Sequence, residues 1–257
     1  MKTIAISGKG GTGKTTVAAL IIRWLSEQVS KSILAVDADS NVNLNDVLGV
    51  ELKETIGSIR EEMKSSVSNL PGGMTKHQFL EYKIQSSLVE TPDYDLIAMG
   101  RPEGPGCYCY ANNLLREILN ALHKNYQFLV IDNEAGMEHL SRRTVHRIDY
   151  LLIISDPSPR GIRTVGKISR LLRELDTRVE EKYLVLNRIL DSIPPSVKEA
   201  IEEEGVKHLS SIPEDERLFR WDQSGKPIWQ IASDSLAFEA VSQFTKKLLG
   251  MEKGKKS

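Results

Sequence analysis

Residues 8–16 read Gly8-Lys9-Gly10-Gly11-Thr12-Gly13-Lys14-Thr15-Thr16, set between an apolar run at Thr3–Ser7 and an amphipathic stretch at Lys14–Gln28. Few backbones satisfy such a segment. It predicts a buried strand, a tight loop whose N–H groups turn inward, and a helix opening at the loop's end. The Gly-x-x-x-x-Gly-Lys-Thr spacing in this context is the P-loop pattern, and the inward N–H groups with the helix dipole surround a β-phosphate. Lys14 then bridges the β- and γ-phosphates of ATP, and the Thr15 hydroxyl ligates Mg²⁺. The candidate phosphate-binding set is therefore Gly8, Lys9, Gly10, Gly11, Thr12, Gly13, Lys14, Thr15 and Thr16.

The rest of the chain repeats the strand–helix rhythm. Thr3–Ser7, Ile33–Asp37, Leu96–Met99, Phe128–Asp132, Leu151–Ser155, Tyr183–Asn187 and His208–Ile212 read as strands. Most are continuous in Ile, Leu and Val, as parallel strands buried on both faces are. Helices are predicted at Lys14–Gln28, Leu114–Lys124, Ile162–Leu175, Ser196–Glu204 and Leu236–Leu249, with Asn112 and Asn113 as caps of the second. The prediction is an α/β fold, a single-domain doubly wound and mostly parallel sheet of about seven strands with helices on both faces. Residues 1–250 form that domain, 51–95 a variable, partly helical insertion with weak periodicity, and 251–257 a disordered basic tail.

Composition excludes several classes. Thirty-four basic and 35 acidic residues leave a net charge of −1, so no global field favours nucleic acid or an anionic membrane. Two cysteines cannot staple 257 residues as a disulfide scaffold. No apolar run approaches the roughly 18 residues of a membrane span, and the first strand leaves no room for a signal peptide. A cytoplasmic protein with reduced thiols is the expectation.

Lys9, directly after the first glycine, makes the loop resemble the deviant P-loop of the nitrogenase-iron-protein and partition-ATPase class. That resemblance implies a homodimer sandwiching two nucleotides, with Lys9 reaching the partner's phosphates. It implies further roles at the strand ends. Asp39 positions the attacking water, Asp37 faces the Mg²⁺ hydration shell, and Asp132, ending Phe-Leu-Val-Ile-Asp, holds Mg²⁺ through water. Gly136, in Asn133-Glu134-Ala135-Gly136, swings as the second switch, while Asn187, Arg188, Pro213 and Asp215 read adenine. Lys9, Lys14 and Asp39 are the implied catalytic residues of ATP hydrolysis. Ser40 departs from the proline that many partition ATPases carry there.

Cys107 and Cys109 stand one residue apart in Gly104-Pro105-Gly106-Cys107-Tyr108-Cys109. In an extended segment both sulfurs point to one side, toward one soft metal ion. Structural zinc takes four ligands, so a two-fold axis beside the loop would complete a four-sulfur site for Ni²⁺ or Zn²⁺. A buried apolar pair, a redox pair and an iron–sulfur cluster are the competing readings of the residues alone. With Asp37-Ala38-Asp39-Ser40-Asn41-Val42-Asn43-Leu44, Gly106-Cys107-Tyr108-Cys109-Tyr110-Ala111-Asn112-Asn113 and Asp132-Asn133-Glu134-Ala135-Gly136-Met137-Glu138-His139, the chain resembles the CooC family of nickel-insertion ATPases. The resemblance implies ATP-dependent dimerisation, a dimer-interface metal at Cys107 and Cys109, and nickel delivery to apo carbon monoxide dehydrogenase. A relative serving acetyl-CoA synthase would read almost identically. The rival is a partition or cell-division ATPase binding DNA or membrane. It needs a basic face or an amphipathic terminal helix, and neither is legible, so no nucleic-acid and no membrane partner is expected. An electron-transferring iron–sulfur ATPase is the third class.

Overall fold

Every residue of Ile33–Asp37 and Phe128–Asp132 is buried, as is all of Lys2–Gly8 after its first residue. Strands apolar on both sides must be covered on both faces, and the chain supplies helices to do so. The computed structural model describes residues 1–29, 32–65, 73–101, 108–122, 124–135, 147–172 and 178–251. Its strands are β1 (Lys2–Gly8), β2 (Ile33–Asp37), β3 (Val89–Glu90), β4 (Asp95–Ala98), β5 (Phe128–Asp132), β6 (Arg147–Ser155), β7 (Arg178–Ile189) and β8 (His208–Pro213). They form one sheet in the order β3-β4-β2-β5-β1-β6-β7-β8. All neighbours run parallel except the pair β3–β4.

Alternate side chains of each strand feed two cores. Ile4 and Ile6 face a layer holding Leu20, Ile21 and Leu25 of α1 (Lys14–Val29) and Phe238, Val241 and Phe244 of the last helix, Leu236–Leu248. Ala5 faces the opposite layer, with Ile59 from the helix Ile56–Ser65, Ile118 from Tyr108–Leu122, and Ile162 and Val165 from Pro159–Leu171. The doubly wound architecture expected from the repeated pattern is observed.

One expectation is corrected and two are made specific. The sheet has eight strands among the described residues, in keeping with the about seven expected; the additional one is the two-residue β3, too short for any period, formed where the Thr91–Tyr94 turn folds the chain back on β4. The helix Tyr108–Leu122 begins six residues before Leu114, so Asn112 and Asn113 lie inside it rather than at its amino end. Two helices, Ile56–Ser65 and Lys76–Ser87, occupy part of the segment 51–95. The second opens with a capping box between Thr75 and Gln78. The expected tail begins at Met251, and 252–257 lie outside the described residues.

A buried lysine ties the two helices of that segment together. Lys83 Nζ lies 2.7 Å from Glu54 and 2.6 Å from Glu62. Burial works against the Lys83 ammonium, yet the two carboxylates outweigh it and raise its pKa. Burial likewise pushes Glu54 up, but hydrogen bonds from Lys83 and Ser86 prevail and hold it below 4.5. A carboxylate depressed in the folded state adds stability above its unfolded pKa and loses it as pH falls through the folded one. Lys83→Met should therefore lower stability by about 1–2 kcal/mol at pH 7, and by much less at pH ~3. Urea unfolding at the two pH values checks this; an equal loss at both contradicts the ion-pair account.

Candidate functional site

Five polar residues end five adjacent strands at one edge of the sheet. Asp37, Asp132, Ser7, Ser155 and Asn187 stand at, or within two residues of, the carboxyl ends of β2, β5, β1, β6 and β7 in spatial order, all buried. That edge, where the chain leaves β1 toward both sides of the sheet, is where open α/β sheets offer a ligand crevice.

The phosphate-loop segment fills the crevice. Gly8 has φ +147°, and a Cβ there would fall 2.3 Å from the backbone oxygen of Ile154. Only glycine lets the loop leave β1 packed this closely on β6. Thr12 Oγ1 donates to the Lys9 carbonyl at 2.8 Å, and the buried Lys14 Nζ reaches the same oxygen at 3.3 Å. The Lys9 side chain is exposed, as a group reaching a partner would be. Asn187 Nδ2 donates to the Thr12 carbonyl at 2.8 Å, and Arg188 Nη1 to the Gly11 carbonyl at 3.4 Å. Loop, Asn187 and Arg188 are thus brought together.

Beneath the loop lie two buried carboxylates, Asp37 and Asp132, directly paired across β2 and β5. They are treated differently. Asp37 accepts N–H bonds from Asp39 at 2.9 Å and from Asn43 and Leu44 at 2.8 Å. Burial still pushes its carboxyl above the usual value. Both its oxygens are thus committed to the turn that follows β2. Asp132 is pushed up to about 7 by burial, opposed by the Thr15 hydroxyl and by Lys14, and helped by the charge of Asp37. Its Oδ1 meets no hydrogen-bond partner among the described residues. A buried carboxylate oxygen without a donor, beside a threonine hydroxyl, fits a hard divalent cation such as Mg²⁺.

Asp39 is half-buried and accepts the Asn41 N–H at 2.8 Å. Val42, next in the turn, holds φ 46°. A β-branched residue in the left-handed region costs of order 1–3 kcal/mol, a strain no sequence signal revealed. Ser40 Oγ donates to Glu134 Oε1 at 3.4 Å, joining the turn after β2 to the segment after β5. Gly136 lies outside the described residues.

Behind Gly13 and Thr16 a half-apolar cleft is lined by Asn187, Pro213, Asp215 and Phe219. Its far wall is the helix Glu216–Gln223, which sequence periodicity missed because none of its residues is fully buried. Asp215 is occupied structurally. Its Oδ1 accepts the Leu218 N–H at 3.0 Å, and its Oδ2 accepts Ser235 Oγ at 2.6 Å and the Ala237 N–H at 3.1 Å. Burial pushes this carboxyl up, but those bonds prevail and hold it below its ordinary value. It ties the cleft to the amino end of the last helix.

The thiol pair is only half in view. Cys107 lies outside the described residues, and Cys109 stands in the first turn of Tyr108–Leu122. The extended-chain geometry expected for Cys109 is therefore corrected to a helical one. Among the described residues no group of three or more His, Cys, Asp or Glu is placed to hold a metal ion, and no helix is long and apolar enough to cross a membrane.

The buried Asp132 has a measurable consequence. A carboxyl raised from 3.8 to about 7 on folding binds its proton more tightly in the folded state. The nucleotide-free protein should lose stability as pH rises through that window, by at most ~4 kcal/mol. Asp132→Asn removes the titration, so its stability advantage over the wild type should grow from pH 4 to pH 7 and then level off. Thermal unfolding across that range tests it; an advantage independent of pH contradicts the shifted carboxyl.

Comparison with known proteins agrees with this geometry. The CobQ/CobB/MinD/ParA nucleotide-binding-domain pattern matches residues 3–228. An uncharacterised ATP-binding protein of Methanocaldococcus jannaschii is 42% identical over 96% of this chain and 98% of its own. The carbon monoxide dehydrogenase accessory protein CooC of Rhodospirillum rubrum is 29% identical over 67% of this chain and 69% of its own. The septum site-determining protein MinD of Pyrococcus horikoshii, solved with Mg-ADP, shares the fold with TM-score 0.66 and 24% identity, covering 98% of this chain and 99% of that one. From loop to cleft, the chain belongs to the CobQ/CobB/MinD/ParA nucleotide-binding family.

Proposed function

We propose that the protein is an ATP-hydrolysing, homodimeric metallochaperone that delivers nickel to apo carbon monoxide dehydrogenase or to acetyl-CoA synthase. The observation that carries this reading is the pair Cys107 and Cys109 on a chain of this nucleotide-binding family, together with similarity to the CooC protein. Two thiolates per chain make an incomplete soft-metal site, and a second copy completes it.

The loop N–H groups and Lys14 hold the phosphates, while Thr15 and Asp132 hold Mg²⁺, which offsets charge on the phosphate oxygens when bound. Asp39 orients the attacking water and Lys9 reaches the phosphates of the partner copy. Asp37 acts through the turn it fixes, keeping Asp39 aimed into the crevice. The cleft lined by Pro213 and Asp215 takes the adenine. Closure around ATP brings the four thiolates together, so metal affinity and nucleotide occupancy are linked. The ion is cargo and leaves with reopening.

A second reading, a positioning ATPase on DNA, has one observation in its favour. Arg160, Arg163 and Lys167 stand exposed along Pro159–Leu171 at spacings that share a face. Phosphate backbones bind such rows.

One anaerobic experiment separates the two. With Mg·ATP the wild type should bind one Ni²⁺ per two chains, and Cys107→Ser should lose that ion while its nucleotide affinity stays within about twofold. Nickel stoichiometry unchanged by the substitution contradicts the chaperone reading. Robust ATP-dependent retardation of duplex DNA, abolished by Arg163→Glu, establishes the second.

A further inference from the structure

The helix Glu216–Gln223 carries two aromatic residues, and only one of them helps to hold the protein together. Trp221 is half-buried; its Nε1 donates to the Pro227 carbonyl at 2.9 Å, and the Lys226 ammonium lies 5.1 Å from the centre of its ring. Phe219 is 61% exposed, and its ring meets neither another aromatic ring nor a cation among the described residues. A single exposed apolar side chain is ordinary by itself. This one, however, lines the cleft that opens behind Gly13 and Thr16 at the end of the phosphate loop.

The fold fixes it there. Asp215 caps the helix, accepting the Leu218 N–H at 3.0 Å, and is bonded in turn to Ser235, the cap of the last helix. The first turn after the cap is thereby held. Leu218 packs against the core layer that holds Val17 and Leu20. Phe219 follows about 100° further round the helix and falls at the exposed rim of the same cleft. Its charged neighbours are engaged elsewhere, Arg217 with Asp234 and Arg220 with Glu216. The open volume, ≈ 620 Å³, lies within the roughly 300–1,000 Å³ of small-molecule sites. A flat apolar ring, left in water beside a phosphate site, suits a ligand with phosphates at one end and a planar aromatic group at the other.

We propose that the Phe219 ring stacks on the base of the bound nucleotide and supplies affinity beyond that of the phosphates. The inference rests on the reading of this cleft as the base site and deepens it. Every base has a π face, so the stack strengthens binding without choosing the base. That choice falls to the directional polar groups of the cleft.

Calorimetric titration of wild type and Phe219→Ala with Mg·ATP and with Mg·tripolyphosphate tests this. The variant should lose roughly tenfold in affinity for ATP, the worth of one base–aromatic stack, and nothing for tripolyphosphate. Phe219→Tyr, which keeps the ring, should bind ATP within about twofold of the wild type. Phe219→Leu, apolar but without a π face, should lose most of what the alanine variant loses. An alanine or leucine variant that binds ATP like the wild type overturns the proposal. A loss shared equally by tripolyphosphate, or accompanied by a lowered urea midpoint, assigns the residue to the fold and overturns it too. A wild type that binds neither ligand removes the phosphate-site reading itself. One that binds ATP no more tightly than tripolyphosphate removes the base site, and one that binds ATP more tightly leaves only the stack at stake.

Discussion

Two carboxylates held side by side inside the sheet set the terms for everything at its upper edge. Asp37 and Asp132 end neighbouring strands in register and are both excluded from water. Two such charges are tolerated only if the protein answers them, and it answers them unequally. Asp37 receives three backbone N–H groups and thereby shapes the turn through Asp39 to Leu44. Asp132 receives the Thr15 hydroxyl and keeps one oxygen without a donor among the described residues. The fold thus commits both oxygens of one carboxylate to the turn and leaves an oxygen of the other without a donor among the described residues. The strained Val42 lies in the turn that the first of these fixes.

That turn is wired to distant parts of the molecule. After it, the helix Leu44–Leu48 ends at Gly49, whose Cα packs so closely on Pro227 that a Cβ would fall 2.4 Å from its ring. Trp221 Nε1 donates to the Pro227 carbonyl at 2.9 Å, and neighbouring Ile228 lines the cleft beside the loop. In the other direction the Asp37 carbonyl accepts the Met99 N–H at 2.7 Å, and Met99 O accepts the Gly57 N–H at 2.8 Å. Met99 and Gly100 lead the chain toward Cys107. The same aspartate is therefore bonded, through its side chain, to the turn after β2 and, through its backbone, to the root of the thiol segment.

How much of this was legible follows from which forces were local. The P-loop was readable because its chemistry is written in consecutive residues, and β2 and β5 because strands buried on both faces leave continuous apolar runs. The strand-end carboxylates could be placed for the same reason. What eluded the sequence depends on tertiary answers to local questions. Asp37 and Asp132 look equivalent as residue types; only the backbone donors around them separate a structural carboxylate from an available one. Asp215 lines the cleft as a polar residue, but no local pattern foretells that Ser235 and Ala237, some twenty residues on, bond its oxygens. Cys109 reads as part of an extended loop because Gly104, Pro105 and Gly106 stand just before it. The helix packing that recruits it is contributed by Leu114, Leu115 and Ile118 downstream.

The charge state of Asp132 tests the account most directly. Carboxyl ¹³C chemical shifts of the nucleotide-free protein, followed from pH 4 to pH 9, should show this group titrating near 7, about three units above a free aspartate. Addition of Mg²⁺ with ADP should drive it to the ionised form throughout that range. An Asp132 that titrates near 4 without ligand, or that does not respond to Mg²⁺ and ADP, would contradict the claim that the fold holds this carboxylate in reserve for a cation.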